Sequence, residues 1–252
     1  MKWRTGKLKL IDTHAHLEEV QDVDSMIRNA RDVGVEAIVG VGMNLDSCKR
    51  TLELSREHSD FIYPALGVHP QEICKDSADT LVFIEEHIHE CVAVGEVGLD
   101  YWSKVDKSLQ NEVFSKMLSY AESSGLPLSI HSRGAWKECY EAAIDNRVNR
   151  AVFHWFSGPV EVLKKVLDSG YYVSASPALE YSKAHRAAIE ETPLDALVIE
   201  TDSPVSYHGK KSEPADVIKT VRFLAELKGL SQEEVASTTT RNAIRMFNLR
   251  LV

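Results

Sequence analysis

Short apolar runs rich in β-branched residues alternate along this chain with longer segments of helical period. The runs are Leu8–Ile11, Val35–Val41, Phe61–Leu66, Val92–Val97, Leu128–Ile130, Ala151–Phe153, Tyr171–Val173 and Ala196–Ile199. They read as strands buried on both faces, as in a parallel sheet. Between them, helical patterns cover 22–33, 46–58, 78–90, 106–124, 135–145, 159–168, 182–191 and 214–228, and a last one covers 232–247. Gly34, Gly125 and Gly170 stand where a helix should stop before the next strand. Pro159 suits a first helical turn, and Ser231 followed by Glu234 reads as a capping box.

Eight strand–helix alternations without a low-complexity linker predict an α/β fold, a (β/α)8 TIM barrel occupying 1–252 as one domain. A doubly wound open sheet is the competing arrangement. The stretch Gly40–Val41–Gly42 lacks the third glycine of a dinucleotide-binding turn and is read as a strand end.

The predicted strand ends carry the candidate chemistry. The first ends in Asp12–Thr13–His14–Ala15–His16. Residues i and i+2 of a strand point the same way, so His14 and His16 can converge on one ion. His87 and His89 have the same spacing in a helical pattern, where the side chains diverge by about 200°. They are read as surface or interfacial histidines. Gly67–Val68–His69–Pro70 ends the third strand, Gly95–Glu96–Val97–Gly98–Leu99–Asp100 the fourth and His131–Ser132–Arg133 the fifth. His154 ends the sixth, and Glu200–Thr201–Asp202–Ser203–Pro204 the eighth. In a barrel all of these share the C-terminal rim, where barrel enzymes place their sites. So many titratable groups on one rim would be costly without compensating cations. His58, His185 and His208 have no comparable spacing; His208 falls in a polar loop and is read as solvent-exposed.

Composition narrows the reading. The formal net charge is −9, so a broad duplex-binding basic face is not expected. Cys48, Cys74, Cys91 and Cys139 form no CxxC pair and are read as reduced thiols of a cytoplasmic protein. The basic N-terminus MKWRTGKLKL is not followed by a long apolar stretch. Neither a signal peptide nor a membrane span is expected, and no obligate protein partner is evident.

These motifs, in this order, resemble those of the TatD family of metal-dependent hydrolases. The resemblance runs from Asp12–Thr13–His14–Ala15–His16–Leu17 to Glu200–Thr201–Asp202–Ser203–Pro204, with Asn242 and Phe247 resembling the family's last helix. It implies two divalent ions, Mg, Mn or Zn. The first would be held by His14, His16, Glu96 and Asp202, the second by Glu96, His131 and His154, with Glu96 bridging. Imidazole ligands favour Zn, Mn, Co or Ni over Mg, whereas family practice points to Mg. The implied chemistry is attack by a metal-activated hydroxide, with Asp202 as general base and Glu96 at the centre. His69 and Arg133 are substrate-binding candidates, Asp100 would orient a ligand histidine, and Tyr101, Trp102, Trp155 and Phe156 would form a stacking wall. The chain departs from the family pattern in three places: Trp155 stands where Cys is common, Gly134 where an acidic residue is common, and Val205–Pro214 keeps the usual Arg-Gly and Asn-Glu-Pro pattern only in part.

The leading functional expectation is a deoxyribonuclease acting on DNA, on single-stranded ends. The alternatives are a carbonyl hydrolase of the amidohydrolase type and a non-catalytic protein that keeps the barrel.

Overall fold

The apolar runs become the staves of a barrel in the computed structural model, which describes residues 8–74, 77–207 and 209–251. Among these, eight parallel strands stand in chain order: β1 Leu10–Ala15, β2 Val35–Val41, β3 Ile62–Leu66, β4 Ala93–Gly98, β5 Leu128–His131, β6 Ala151–Phe153, β7 Tyr172–Ala175 and β8 Leu197–Ile199. The connecting helices are α1 Val23–Val33, α2 Leu45–Glu57, α3 Ser77–His87, α4 Lys107–Ser124, α5 Trp136–Asp145, α6 Val160–Asp168, α7 Lys183–Glu191 and α8 Val217–Lys228, followed by α9 Gln232–Phe247. The open-sheet alternative fails because β1 and β8 meet.

That closure uses polar groups. Asp12 Oδ1 accepts from Thr201 N at 2.9 Å, and the Thr201 hydroxyl donates to Asp12 Oδ2 at 2.6 Å. Asp202 N donates to His14 O at 2.9 Å and His16 N to Ser203 O at 2.7 Å. The bonds that shut the barrel therefore also place three candidate ligands.

Strand alternation sorts the core into two apolar clusters. Val39, Ala65, Ala93, Val152 and Val198 join one cluster with Met246 and Phe247 of α9. Ile38, Ile62, Val94 and Phe153 belong to the larger cluster beneath the helices. Helix α9 crosses the end of the barrel opposite the site. Its Thr240 donates to Lys9 O just before β1, and Asn242 donates to Leu194 O and Leu197 O at the start of β8. Met246 and Phe247 of α9 add bulk to the valine and alanine side chains that these strands contribute to that cluster.

Gly34, Gly125 and Gly229 end α1, α4 and α8 in the left-handed conformation. The Ser231 side chain accepts from Glu234 N, but the reciprocal half of the predicted capping box does not form. Two predicted helices are shorter than their patterns. Residues 88–90 tighten into a 3-10 turn after α3, and Pro214–Asp216 forms another before α8. The first strand runs on through Ala15, so His14 lies within it. His87 and His89 face outward as expected, His87 bonding Glu90 at 3.0 Å. The basic segment at 1–7 and His208 lie outside the described residues. No helix among the described residues is long and apolar enough to cross a membrane, and all four cysteines are free.

His185 on α7 is fully buried. Its Nδ1 donates to Phe156 O at 2.8 Å and its Nε2 accepts from Ser176 N at 3.2 Å. Burial lowers this imidazole to about 4 despite the bond to Phe156. An unfolded histidine titrates near 6.5, so the unfolded chain binds the extra proton first as pH falls. The stability is complete above about 6.5 and is lost progressively toward pH 4. In metal-free protein, urea denaturation should show the parent losing about 2–3 kcal/mol more than His185→Gln between pH 7.5 and 4.5. Parallel losses in the two proteins would contradict this.

Candidate metal centre

Glu96, near the end of β4, is 2 % exposed and sits at the centre of a ring of imidazoles. Its Oε2 lies 3.3 Å from His14 Nε2 and 3.6 Å from His16 Nε2. Its Oε1 lies 2.8 Å from His131 Nδ1, 3.2 Å from His154 Nε2 and 3.5 Å from His69 Nε2. One carboxylate thus presents each oxygen to a different set of histidines. Asp202 Oδ1 joins the first set, 3.3 Å from His16 Nε2 and 3.7 Å from His14 Nε2.

The backbone leaves room for this packing only through glycines. A Cβ at Gly67 would run into the Glu96 carbonyl, and one at Gly98 into the His131 carbonyl. Asp202 and Trp155 adopt left-handed backbone, at φ 52° and 42°, although neither is glycine. Such residues cost on the order of 1 kcal/mol or more and are held by their surroundings. Here the Asp202 amide is tied to His14, and the Trp155 amide donates to Ser174 Oγ at 2.8 Å and Glu200 Oε1 at 3.1 Å.

The electrostatics ask for positive charge. Burial alone would raise the Glu96 carboxyl, but His69, His154, His14 and His131 hold it well below the usual range. Asp202 behaves likewise: burial is outweighed by the bond from His16 and by the charges of the neighbouring histidines. The imidazoles respond in kind. Burial opposes charge on His16, His131 and His154, yet the carboxylates raise all three, His16 to about 9. Without cations, protons do the compensating.

The donor set fits a divalent ion. His14 Nε2 is buried, close to both carboxylates, and has no hydrogen-bond partner among the described residues. Three groupings have donor atoms within 4.8 Å of one another: His14, His16 and Glu96; His69, Glu96 and His131; and His14, His154 and Glu200. Imidazole and carboxylate are ordinary ligands for transition ions.

All eight site residues expected from the sequence are brought together. His16, His69, Glu96, His131, His154 and Asp202 line a cavity of about 390 Å³, and Arg133, Trp136 and Trp155 extend its wall. His14 lies beneath it, 1 % exposed. Arg133 Nη2 pairs with Asp100 Oδ2 at 2.8 Å while its side chain stays 46 % exposed. Of the expected stacking wall, Phe156 is fully buried and packs edge-on to Phe153 as core. Tyr101 lies under the Lys107 ammonium. Of that set Trp155 alone lines the cavity, while Trp102 stands beside it against Trp136.

Several supporting residues escaped the sequence reading. Glu200 Oε1 accepts from His154 Nδ1 at 3.1 Å, and Ser129 Oγ lies 3.3 Å from His14 Nδ1. Each fixes the ring orientation of a candidate ligand. Asp100, which the sequence did offer as the orienter of a ligand histidine, has Oδ2 3.2 Å from His131 Nε2, and buried Gln110 pins the Asp100 backbone through N–H and C=O together. Position at a strand end was a usable signal for Glu200. Gln110, ten residues downstream on α4, had none.

Similarities agree with this geometry. Residues 11–248 match the family model described as TatD related DNase. An uncharacterized metal-dependent hydrolase, YabD, of Bacillus subtilis (strain 168) is 36% identical over 95% of this chain and 99% of its own. The deoxyribonuclease TATDN3 of Homo sapiens is 28% identical over 97% of this chain and 96% of its own. The crystal structure of YjjV, a TatD homologue from Escherichia coli K12, superposes with a TM-score of 0.88 at 25% identity, covering 97% of this chain and 100% of that one. The site and these likenesses define a barrel hydrolase that depends on metal. The chain belongs to the TatD family.

Glu200→Gln should keep a bond to Trp155 N but weaken the pull on His154 Nδ1. Transition-ion affinity is expected to fall about 10- to 100-fold, read by chelator competition with Mn or Zn. Unchanged affinity would mean that Glu200 serves only the backbone of Trp155.

Proposed function

We propose that this protein is a deoxyribonuclease that hydrolyses phosphodiester bonds at single-stranded DNA ends, using two divalent ions held at Glu96. The observation that carries it is the division of the five histidines between the two oxygens of Glu96. One carboxylate can offer an oxygen to each of two ions, and a phosphodiester hydrolysed in line has an attacking and a leaving oxygen to be served. His14, His16, Glu96 and Asp202 would hold the first ion and Glu96, His131 and His154 the second. When bound, Mg, Mn or Zn would supply Lewis acidity toward the ester and lower the pKa of a water.

The protein's own groups do the rest. Asp202, kept ionised at neutral pH, accepts the proton of the attacking water. His69 is buried and its imidazole lowered by that burial, so it is neutral. Its Nδ1 accepts from Gln71 N at 3.1 Å, which leaves the proton on Nε2. That N–H faces His131 Nδ1 at 3.2 Å and Glu96 Oε1 at 3.5 Å, and would turn to donate to an oxygen of the scissile phosphate. Arg133, braced by Asp100, offers charge to a neighbouring phosphate. The acidic net charge of −9 does not oppose this. Two carboxylates against two divalent ions leave the centre net positive, so the attraction is local. A centre lining a cavity of about 390 Å³ would admit a splayed strand or an end more readily than a duplex interior. Four free cysteines suit a cytoplasmic setting.

End-labelled single-stranded oligonucleotide with Mn or Mg tests the reading. Progressive shortening is expected from the parent and its loss on chelation, with recovery on metal return. Asp202→Ala should lower kcat at least about 100-fold, as loss of a general base does. An unshortened oligonucleotide, with turnover of an ester or amide instead, would move the protein to carbonyl chemistry.

A further inference from the structure

Beside the metal centre stands an aromatic corner whose construction differs from a core contact. Trp102 follows β4 in the loop before α4, and Trp136 begins α5. Their rings meet edge to face, with centroids 5.8 Å apart and planes at 88°. Trp102 is 68 % exposed, the highest value among the large apolar side chains described. Indoles normally bury most of their area, so one held this open is available to a ligand.

Both indoles rest on glycine backbone. A Cβ at Gly134 would stand 2.6 Å from Cδ1 and Nε1 of Trp102, and one at Gly158 would stand 2.5 Å from Cγ of Trp136. Real Cβ atoms do not approach so closely, so any other residue would push the rings away. Gly134 lies three residues beyond His131, and Gly158 four beyond His154. The loops that start from two candidate metal ligands thus also seat the two indoles. Trp136 lines the same cavity as Glu96 and His131.

A cation completes the corner. The Arg133 guanidinium lies 6.0 Å over the Trp102 ring. It holds Asp100 through Nε and Nη2, leaving Nη1 without a hydrogen bond among the described residues. A largely exposed indole beside an anchored, half-exposed guanidinium matches one chemistry well: a nucleobase joined to a phosphate. An apolar peptide would have no use for the arginine, and a bare phosphate none for the indoles.

We infer that Trp102 and Trp136, seated on Gly134 and Gly158, form a subsite that stacks the nucleobase of the nucleotide next to the scissile bond, with Arg133 on that nucleotide's phosphate. This rests on the nucleic-acid reading given above and names how that substrate is recognised. It makes the enzyme sensitive to bases as well as to phosphates.

Binding of fluorescein-labelled hexathymidylate, and of the same strand with abasic sugars throughout, to metal-free protein tests the subsite by anisotropy, without turnover. The parent should prefer the base-bearing strand about tenfold, the scale of one stacked base. Trp102→Ala removes a side chain that is mostly in solvent, and should reduce that preference to near unity. Gly134→Ala should do the same with both tryptophans present. Equal affinity of the parent for the two strands, or no measurable binding of either, would overturn the subsite. So would a preference that survives in both variants. Cleavage assays separate this from the reaction: a parent that shortens DNA but has no base preference loses only the subsite. A base preference without cleavage loses only the phosphodiesterase reading.

Discussion

A buried carboxylate that cannot be left uncompensated governs this molecule. Glu96 has almost no contact with solvent, and among the described residues no lysine or arginine pairs with it. Five imidazoles do. An imidazole can answer a carboxylate by taking a proton or by sharing an ion with it, and the raised His16, His131 and His154 show how strongly the site asks for one of these. Binding of metal would then exchange protons for cations. The glycines around Glu96, the left-handed Asp202 and the bonds from Glu200 and Ser129 all serve the same end. They keep the imidazoles aimed at one carboxylate while the barrel supplies rigidity.

Closure of the barrel depends on the same region. Burial pushes the Asp12 carboxyl up to about 8 even though Thr201 binds both its oxygens. A group so placed is expensive as an anion, yet it joins β1 to the segment that carries Asp202. The strain and the buried polarity gather at the C-terminal rim, whereas the opposite end is filled by Met246 and Phe247 of α9. One end of the barrel is built for packing and the other for chemistry. This division lets ligand geometry be exacting without emptying the core.

How much of this could be read from the chain follows from which forces are local. Strand periodicity is local, so all eight strands and the placing of His14, His16, His69, Glu96, His131, Arg133, His154 and Asp202 at their ends were legible. The control pair His87 and His89 was separable for the same reason, since helical period sends them apart. What needed coordinates was orientation across the barrel. Ser129 meets His14 over a separation of 115 residues, and Thr201 meets Asp12 over 189. Neither type of residue announces a role by spacing. Phe156 misled because its aromatic character was visible while the inward turn after Trp155, held by Ser174 and Glu200, was not. His185 offered no pattern at all, and its burial arises from Phe156 and Ser176 in separate loops.

Two of the departures from the family pattern, Gly134 and Trp155, acquire a physical meaning at this rim. Gly134 is not merely a lost acidic side chain. It is the floor under Trp102, and an acidic residue there would both displace the indole and set a negative charge beside Arg133. Trp155, in place of a smaller residue, puts an indole on the cavity wall, 5.9 Å from the Tyr207 ring. Both changes act in the same direction, trading charge and small volume for aromatic surface around an unaltered set of ligands. The reaction centre and its surroundings are therefore separable here. Imidazole and carboxylate geometry sets what bond is broken, and the aromatic loops that spring from the same strand ends set what is held while it breaks.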